Sequence, residues 1–468
     1  MKISKSDIVW NYAGSIFNLG MSVFILPFVL RILSPEELGL WYIFGSIAAL
    51  VSLLDFGFSP SIMRNIIYAW SGATRLYKEG IPETNKNKGP NFSLMITLIN
   101  ASKKIYFTIA VLAGFMLLLL GTPYIDSLIG SEPNNYLASW GIYSAGVFLN
   151  LYYSYWNPLL KGIGAIKAAN QVQVFSKIVY MVFTVVGLQL GGGLMWLSFM
   201  YLVSGLLLRV LSKRNFEKIS SINKHQIENN QSIKTKELLK TIWPNAKKQG
   251  LVTIGAWLIT KSTTLLSSHF YGLAVTAELG LTMQLYSFVG GFSGLLFNSY
   301  IPEITSSKLR GDTERFKNLF ARSIIIQWAI GFIGILSVIY IAPFGLKIIG
   351  SNSTILPRTI LIILGIILFL EWNHSTFASL ITLSNKVPFL ASSLLSGVGI
   401  VLLSLIAAKY TNLGVLGLVL SQGFIQLLYN NWYWPRYVCI ENSLTIFQLT
   451  KNGIKDIYKV ASKTISNL

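Results

Sequence analysis

IYFTIAVLAGFMLLLL, residues 105–120, is an unbroken apolar stretch without a charged side chain. Its apolar residues follow one another continuously, without the strict apolar–polar alternation of a half-buried strand. A helix that crosses a bilayer needs roughly 20 mainly apolar residues, and only helices or closed barrels satisfy their backbone groups in hydrocarbon. This stretch therefore predicts a membrane-spanning helix.

Similar stretches recur along the whole chain. Hydrophobic residues make up 53% of it and charged residues only 12%, whereas a soluble domain carries roughly 25% charged residues. The other predicted spans are 8–30, 40–67, 136–159, 172–190, 194–211, 251–271, 275–300, 324–344, 356–380, 389–408 and 413–433. The sequence predicts an all-α polytopic membrane protein with about twelve transmembrane helices.

The net charge of +20 follows this topology. If both termini are cytoplasmic, the outer segments keep only Arg31, Lys347, Arg358 and Lys409 as basic residues. The densest inner run contains Arg209, Lys213, Arg214, Lys218, Lys224, Lys234, Lys236, Lys240, Lys247 and Lys248. An excess of Lys and Arg on the inner side is the usual orientation signal. The basic balance therefore indicates orientation, and no nucleic-acid partner is expected.

The chain divides into two six-helix lobes in this prediction. A polar segment, 213–248, follows the sixth span and is typical of a flexible linker. Glu37-Leu38-Gly39-Leu40, at the start of the second span, recurs as Glu278-Leu279-Gly280-Leu281 at the start of the eighth. Parallel repeats of this kind give pseudo-symmetric lobes. We expect lobes at 1–212 and 249–434, around a central cavity, with the linker at 213–248.

The C-terminal segment, 435–468, is predicted to be a basic amphipathic tail. Lysines recur every four residues, at Lys451, Lys455, Lys459 and Lys463. The apolar residues Ile454, Ile457, Ala461 and Ile465 fall on the other side of the helix. Such a helix lies on anionic inner-leaflet lipid. The alternative is a solvated cytoplasmic helix.

The sequence gives little support for an enzymatic or a metal-binding site. Cys439 is the only cysteine, and the histidines His225, His269 and His374 are too scattered for a metal motif. No GxxxxGK[ST] phosphate loop occurs. The predicted outer connections are too short for an extracellular catalytic domain, so we expect a transporter that needs no cofactor other than a coupling ion.

Ionisable residues inside the predicted spans are the better functional candidates. A charge at the bilayer centre costs at least ~2.5 kcal/mol and persists mainly where it faces water or a partner. The sequence offers Asp55, Lys177, Lys261 and Glu371 within spans, and Arg31, Arg64 and Glu303 near span ends. For the last three, snorkelling to the interface is the plain alternative.

Both lobes begin with a helix that carries a polar stripe. Asn11, Gly14 and Asn18 share one face of the first helix, and Lys261, Thr264 and Ser268 share one face of the seventh. Substrate binding is one interpretation of these stripes. Hydrogen bonding between helices is the other.

The first 75 residues resemble Wzx-type polysaccharide flippases of the multidrug/oligosaccharidyl-lipid/polysaccharide exporter superfamily. The resemblance rests on short motifs, which are Asn11-Tyr12-Ala13-Gly14, Leu26-Pro27, LSPEELGLW at 33–41, LDFGFS at 54–59 and YAWSGA at 68–73. The rest of the chain agrees only in length, span number and division into lobes.

The resemblance implies translocation of an undecaprenyl-diphosphate-linked oligosaccharide from the cytoplasmic to the periplasmic leaflet of a bacterial inner membrane. By position it points to Arg31, Asp55, Arg64 and Lys261, although Lys261 lies outside the matched motifs. We add Asn11 and Asn18 as substrate contacts, and Asp55 and Glu371 as carboxylates for a coupling proton or sodium ion. Membrane lipids, a polysaccharide polymerase and glycosyltransferases are the expected partners.

Three other functions stay open at this point. A drug/cation antiporter of the same superfamily would favour acidic groups in its cavity, against which Lys261 argues. A membrane glycosyltransferase or polysaccharide polymerase would need substantial outer loops. A lipid scramblase or structural subunit differs from a flippase only in leaflet-resolved transport.

Overall fold

The computed structural model describes residues 14, 17, 20, 21, 24–73, 89–129, 136–222, 247, 250–309, 312–382 and 388–465. Helical residues occur at each of the twelve predicted spans. Eight helical stretches of the described part are long and apolar enough to cross a membrane. The predicted all-α polytopic membrane fold is therefore confirmed.

The chain forms two compact units, an N-terminal unit of Met1–Trp257 and a C-terminal unit of Leu258–Leu468. The described helices of the N-terminal unit are α1 Pro35–Ser52, α2 Phe58–Trp70, α3 Phe92–Met116, α4 Thr122–Ile129, α5 Tyr136–Tyr152, α6 Trp156–Gly162, α7 Ile166–Gln189 and α8 Gly193–Ser220. Those of the C-terminal unit are α9 Ser262–Leu309, α10 Thr313–Tyr340, α11 Ala342–Ile348, α12 Arg358–Thr382, α13 Leu390–Tyr410, α14 Val415–Leu428, α15 Asn430–Glu441 and α16 Ile446–Ile465.

One predicted span is interrupted in a way that hydropathy does not reveal, and a second helical break falls where two predicted spans meet. The predicted span 40–67 breaks after a short 3-10 turn, Leu53–Asp55, because Phe56 (φ 42°) and Gly57 (φ 74°) adopt left-handed backbone. The helical stretch Gly250–Ile301 contains 52 residues, about 78 Å of helix against roughly 30 Å of hydrocarbon. Gly272 (φ 81°, ψ 176°) breaks it, which separates the predicted seventh and eighth spans.

The repeated ELGL segments have the same packing role in both units. Leu38 and Leu279 are 1% and 2% exposed. Glu37 completes a capping box with Ser34 at the start of α1, which satisfies two helix-terminal donors. Its counterpart Glu278 accepts a 2.6 Å hydrogen bond from Thr354. Each glutamate therefore fixes the helix that begins its repeat.

Apolar side chains on the outside of the helices mark the lipid-facing surface. Leu118, Leu119 and Leu120, all within the stretch at 105–120, are each about two-thirds exposed. Exposed apolar surface of this kind on a water-soluble monomer would promote aggregation, but it is the expected exterior of a membrane bundle.

The tail helix α16 packs against α10 along part of its surface. Leu449 is buried, and a Cβ at Gly453 would lie 2.6 Å from Ile325 Cγ1. Arg322 of α10 pairs with Asp456 at 3.2 Å. Ile454, which the sequence places on the apolar side, is exposed together with Phe447 and Tyr458. The side of α16 that packs against α10 therefore carries Leu449 and Gly453, whereas Ile454 is exposed, and the contact of the apolar face with lipid stays a prediction.

Nearby, the C-terminal unit encloses the only cysteine of the chain. Cys439 of α15 is 7% exposed and lies in a cluster with Phe320, Phe377 and Trp434. Close packing of these side chains fixes α15 against α10 and α12.

The break at Gly57 gives a test of this fold. Gly57→Ala should lower the melting temperature in detergent, because a Cβ in left-handed backbone costs roughly 1–2 kcal/mol. Gly45→Ala is the matched control, since Gly45 lies within α1, where an added Cβ would meet no described atom within 4 Å. Thermal unfolding followed by tryptophan fluorescence measures both. Equal melting temperatures for the two variants would contradict a required left-handed turn.

Candidate functional site: charged residues within the two units

Asp55 lies where the second span is interrupted. It ends the 3-10 turn that follows α1, directly before the left-handed Phe56 and Gly57. A non-glycine residue in this conformation is strained by about 1–3 kcal/mol and persists only where its surroundings enforce it. The interruption takes the Asp55 side chain out of a regular helix and directs it toward α3.

Hydroxyl groups hold the Asp55 carboxylate. The Tyr106 hydroxyl donates a hydrogen bond to Asp55 Oδ1. The Ser59 hydroxyl lies 2.9 Å from the Tyr106 hydroxyl and also interacts with the carboxylate. Tyr106 is completely buried. The carboxylate thus has donors from α2 and α3, without a direct contact to a basic residue in the described part of the chain.

Arg209 of α8 faces the same region. It lines a cavity of about 380 Å³, which we call the Arg209 cavity. The other lining residues are Ala48, Val51, Ser52, Asp55, Ser59, Val147, Asn150, Leu151, Ser154 and Tyr201. Arg209 Nε is buried without a hydrogen-bond partner among the described residues.

Asp55 attracts Arg209 electrostatically but does not touch it. The ion pairs within 4.0 Å among the described residues join Lys213 to Glu217, Arg315 to Glu303 and Arg322 to Asp456. Arginine stays charged in proteins. The N-terminal unit therefore contains a cation in a cavity without a contacting anion from the described ranges.

A close helix packing places Arg209 there. A Cβ at Gly205 would overlap Asn150 Oδ1, so in this arrangement of Asn150 the glycine lets α8 lie close to α5. Tyr201 stacks on Tyr143 with ring centroids 4.4 Å apart. Because Tyr201, Gly205 and Arg209 recur every four residues, they share one face of α8.

Arg209 is a candidate functional residue that does not stand out in the sequence. The sequence places Arg209 in the basic run of the inner segments, which is interpreted above as an orientation signal. In the structure, Arg209 lies well inside α8, whose helix continues to Ser220. The four-residue repeat of Tyr201, Gly205 and Arg209 is the signal that could have revealed its direction.

Glu371 of α12 lies in a second polar site, in the C-terminal unit. Gln422 Nε2 donates to Glu371 Oε2 at 2.8 Å, and Gln426 Nε2 donates to Oε1 at 3.3 Å. Asn430 continues the chain of bonds by donating to Gln426 Oε1 at 2.8 Å and accepting from Trp434 Nε1 at 2.9 Å. These five residues form what we call the Glu371 network. Both glutamines are almost completely buried.

The predicted basic residues have different surroundings. Lys261 is exposed at a one-residue interruption between helical residues 250–260 and α9. Thr264 and Ser268, which were expected to share its face, are buried. Arg64 is exposed on α2. Lys261 is therefore exposed, whereas the other two residues of its predicted stripe are buried.

Of the remaining candidates, the described Arg31 does not line the Arg209 cavity. Arg31 is exposed and makes a non-covalent contact within the protein. Asn11 and Asn18 lie outside the described residues. No three His, Cys, Asp or Glu side chains in the described ranges come close enough to hold a metal ion.

Known structures of the same fold are transporters and a flippase. Lipid II flippase MurJ, in an inward closed conformation, aligns with a TM-score of 0.64 and 14% identity over 99% of this chain and 93% of its own. An inward-facing multidrug resistance MATE family transporter of the MOP superfamily aligns with a TM-score of 0.58 and 17% identity over 94% and 96%.

A third structure of this fold is a MOP superfamily transporter from Pyrococcus furiosus, described as having a binding pocket of reverse polarity. It aligns with a TM-score of 0.54 and 16% identity over 95% of this chain and 99% of its own. No protein-family model and no curated protein matches the sequence. The chain therefore has the fold of MOP superfamily transporters.

The Glu371 network predicts a difference between two substitutions. Glu371→Gln keeps an acceptor for the buried glutamines, whereas Glu371→Leu leaves their amide donors unsatisfied, at about 1–3 kcal/mol each. Glu371→Leu should therefore lower the melting temperature clearly more. Glu303→Leu is the control, because Glu303 pairs with Arg315 near the surface and such pairs contribute about 0–1 kcal/mol. Equal effects of the two leucine variants would contradict the network.

Proposed function

We propose that this chain, with the fold of MOP superfamily transporters, is a flippase for a lipid-linked anionic glycan. Its substrate class would be undecaprenyl-diphosphate-linked oligosaccharide, moved from the cytoplasmic to the periplasmic leaflet of a bacterial inner membrane by alternating access. The observation that carries the proposal is Arg209, a cation without a contacting anion among the described residues, facing a cavity inside a membrane-spanning unit.

The physical task explains why such a cation is useful. A sugar diphosphate cannot cross hydrocarbon unaided, because each polar group would lose its hydration without compensation. A groove with cationic and hydroxyl side chains replaces that hydration, while the lipid tail stays in the bilayer. Ser52, Ser59, Ser154, Asn150 and Tyr201 supply such groups around Arg209.

The other predicted substrate residues remain proposed contacts of the same substrate. Lys261 and Arg64 are exposed cations that can meet a diphosphate. Arg31, Asn11 and Asn18 are proposed contacts from the resemblance of the N-terminal sequence. A polysaccharide polymerase and glycosyltransferases would consume and supply the substrate.

A drug/cation antiporter is the second candidate. The likeness to MATE transporters favours it, and so does Glu371, a carboxylate that has amide partners and no contacting base in the described part of the chain. A cationic substrate would bind at acidic side chains. The cation in the Arg209 cavity favours the anionic substrate.

Transport by purified protein in vesicles tests the flippase. Lys261→Ala and Arg209→Gln should each slow leaflet-resolved transport of labelled lipid-linked oligosaccharide roughly tenfold or more, because a hydrogen bond to a charged group contributes about 1.5–3 kcal/mol. Lys213→Gln is the matched control, since Lys213 lies one turn after Arg209, exposed and paired with Glu217. Unchanged rates in both variants, or exchange of organic cations by wild type instead, would refute the assignment.

Ion coupling gives a separate prediction. Asp55→Asn or Glu371→Gln should change the dependence of transport on pH or sodium, because a carboxylate can bind a proton or a sodium ion and an amide cannot be charged. Asp126→Asn, at an exposed acid of α4, should leave both dependences unchanged. Loss of transport in the first two variants without any change in these dependences would count against coupling at either carboxylate.

A further inference from the structure

A second cavity lies in the C-terminal unit where two candidate membrane spans end. It measures about 450 Å³. The helix α10 ends at Tyr340, α12 begins at Arg358, and the short helix α11 connects them. Because the two long helices are candidate spans, this cavity lies at the depth of the membrane–water interface. We call it the Lys347 cavity.

Two basic side chains line this cavity. Lys347 and Arg358 are exposed, and the Arg358 guanidinium lies 4.7 Å from the centroid of the Tyr340 ring. Neither residue makes an ion pair within 4.0 Å with a described residue. The carboxylate of Glu278 lies near the rim, where it accepts the hydrogen bond from Thr354.

The placement of these two residues needs an explanation. The predicted outer segments keep only four basic residues, and two of them line this one cavity. Basic residues on the outer side act against the orientation signal. Their convergence therefore indicates an anion that binds there.

A buried hydroxyl group points to the same conclusion. Ser353 lines the cavity and is 3% exposed, yet its Oγ atom has no hydrogen-bond partner among the described residues. Buried polar atoms in native proteins are nearly always hydrogen-bonded. Rotation of the Ser353 side chain toward the cavity would let a phosphate oxygen accept its hydrogen bond.

The surroundings of the cavity are apolar. Ile341, Phe344 and Ile348, on or beside α11, are each about two-thirds exposed. Leu356 and Leu361 form a buried apolar floor. A free inorganic anion would gain no stabilisation from contact with these apolar side chains, whereas the acyl chains of a phospholipid would cover them.

We propose that the Lys347 cavity binds the phosphate of an anionic phospholipid in the predicted outer leaflet. Lys347 and Arg358 neutralise the phosphate, and Ser353 donates a hydrogen bond to it. The acyl chains run along Phe344 and Ile348. No residue proposed above for transport lines the Lys347 cavity, and the bound lipid would anchor the α10–α12 connection to the membrane surface.

Lipid-dependent stability of the purified full-length chain tests this site. Phosphatidylglycerol added to detergent micelles should raise the melting temperature more than phosphatidylcholine does. In the double variant Lys347→Gln/Arg358→Gln, the apparent affinity for phosphatidylglycerol should fall roughly tenfold or more. Ser353→Ala, which removes a buried unpartnered hydroxyl and therefore should not lower the lipid-free melting temperature, should also weaken the apparent affinity for phosphatidylglycerol.

Lys409→Gln is the matched control. Lys409 is another predicted outer basic residue of the same unit and lies over an aromatic ring, that of Tyr410, at 5.5 Å, but it does not line the cavity. It should keep the wild-type response. An equal response to both lipids, an unchanged response in the double variant, or full replacement of the lipid by inorganic phosphate would overturn the proposal.

Discussion

The hydrocarbon of the bilayer is the constraint from which the structure follows. Water is absent there, so every backbone donor needs a partner within the chain, and every charge needs solvation by other side chains. Asp55 meets this requirement through the Tyr106 hydroxyl, and Glu371 meets it through Gln422 and Gln426. Within the described ranges, both carboxylates are solvated by hydroxyl or amide groups and not by a contacting base.

The two units solvate their charged side chains with different chemistry. In the N-terminal unit the acid and the base, Asp55 and Arg209, share one cavity without touching. In the C-terminal unit Glu371 begins a chain of amide hydrogen bonds that ends at Trp434. A separated pair leaves room for water or a ligand between the charges. A continuous amide network holds its carboxylate in one geometry. The pseudo-symmetry of the ELGL segments therefore does not extend to the polar sites.

Hydropathy predicted the helical class and the positions of the spans, because lipid selects for long apolar stretches whatever the details of packing. It placed the boundary between the seventh and eighth spans at residues 271–275, where Gly272 breaks the helix, but it could not predict the interruption at Gly57, since backbone dihedral angles do not change average polarity. Asp55 and Glu371 stood out in the sequence because charges are rare in apolar surroundings. Arg209 did not, because it lies beside a basic run and the side of α8 that faces α5 follows from tertiary packing. Positional patterns along one helix face carry that information, and composition does not.

The enclosure of Cys439 among Phe320, Phe377 and Trp434 has a practical consequence. Because it is the only cysteine of the chain, modification of its thiol reports the fraction of molecules in which the C-terminal unit is open. The rate at which a thiol reagent modifies the native protein equals the open fraction multiplied by the intrinsic alkylation rate when closing is fast. The open fraction of this unit in a lipid bilayer can therefore be measured without engineering a label into the protein.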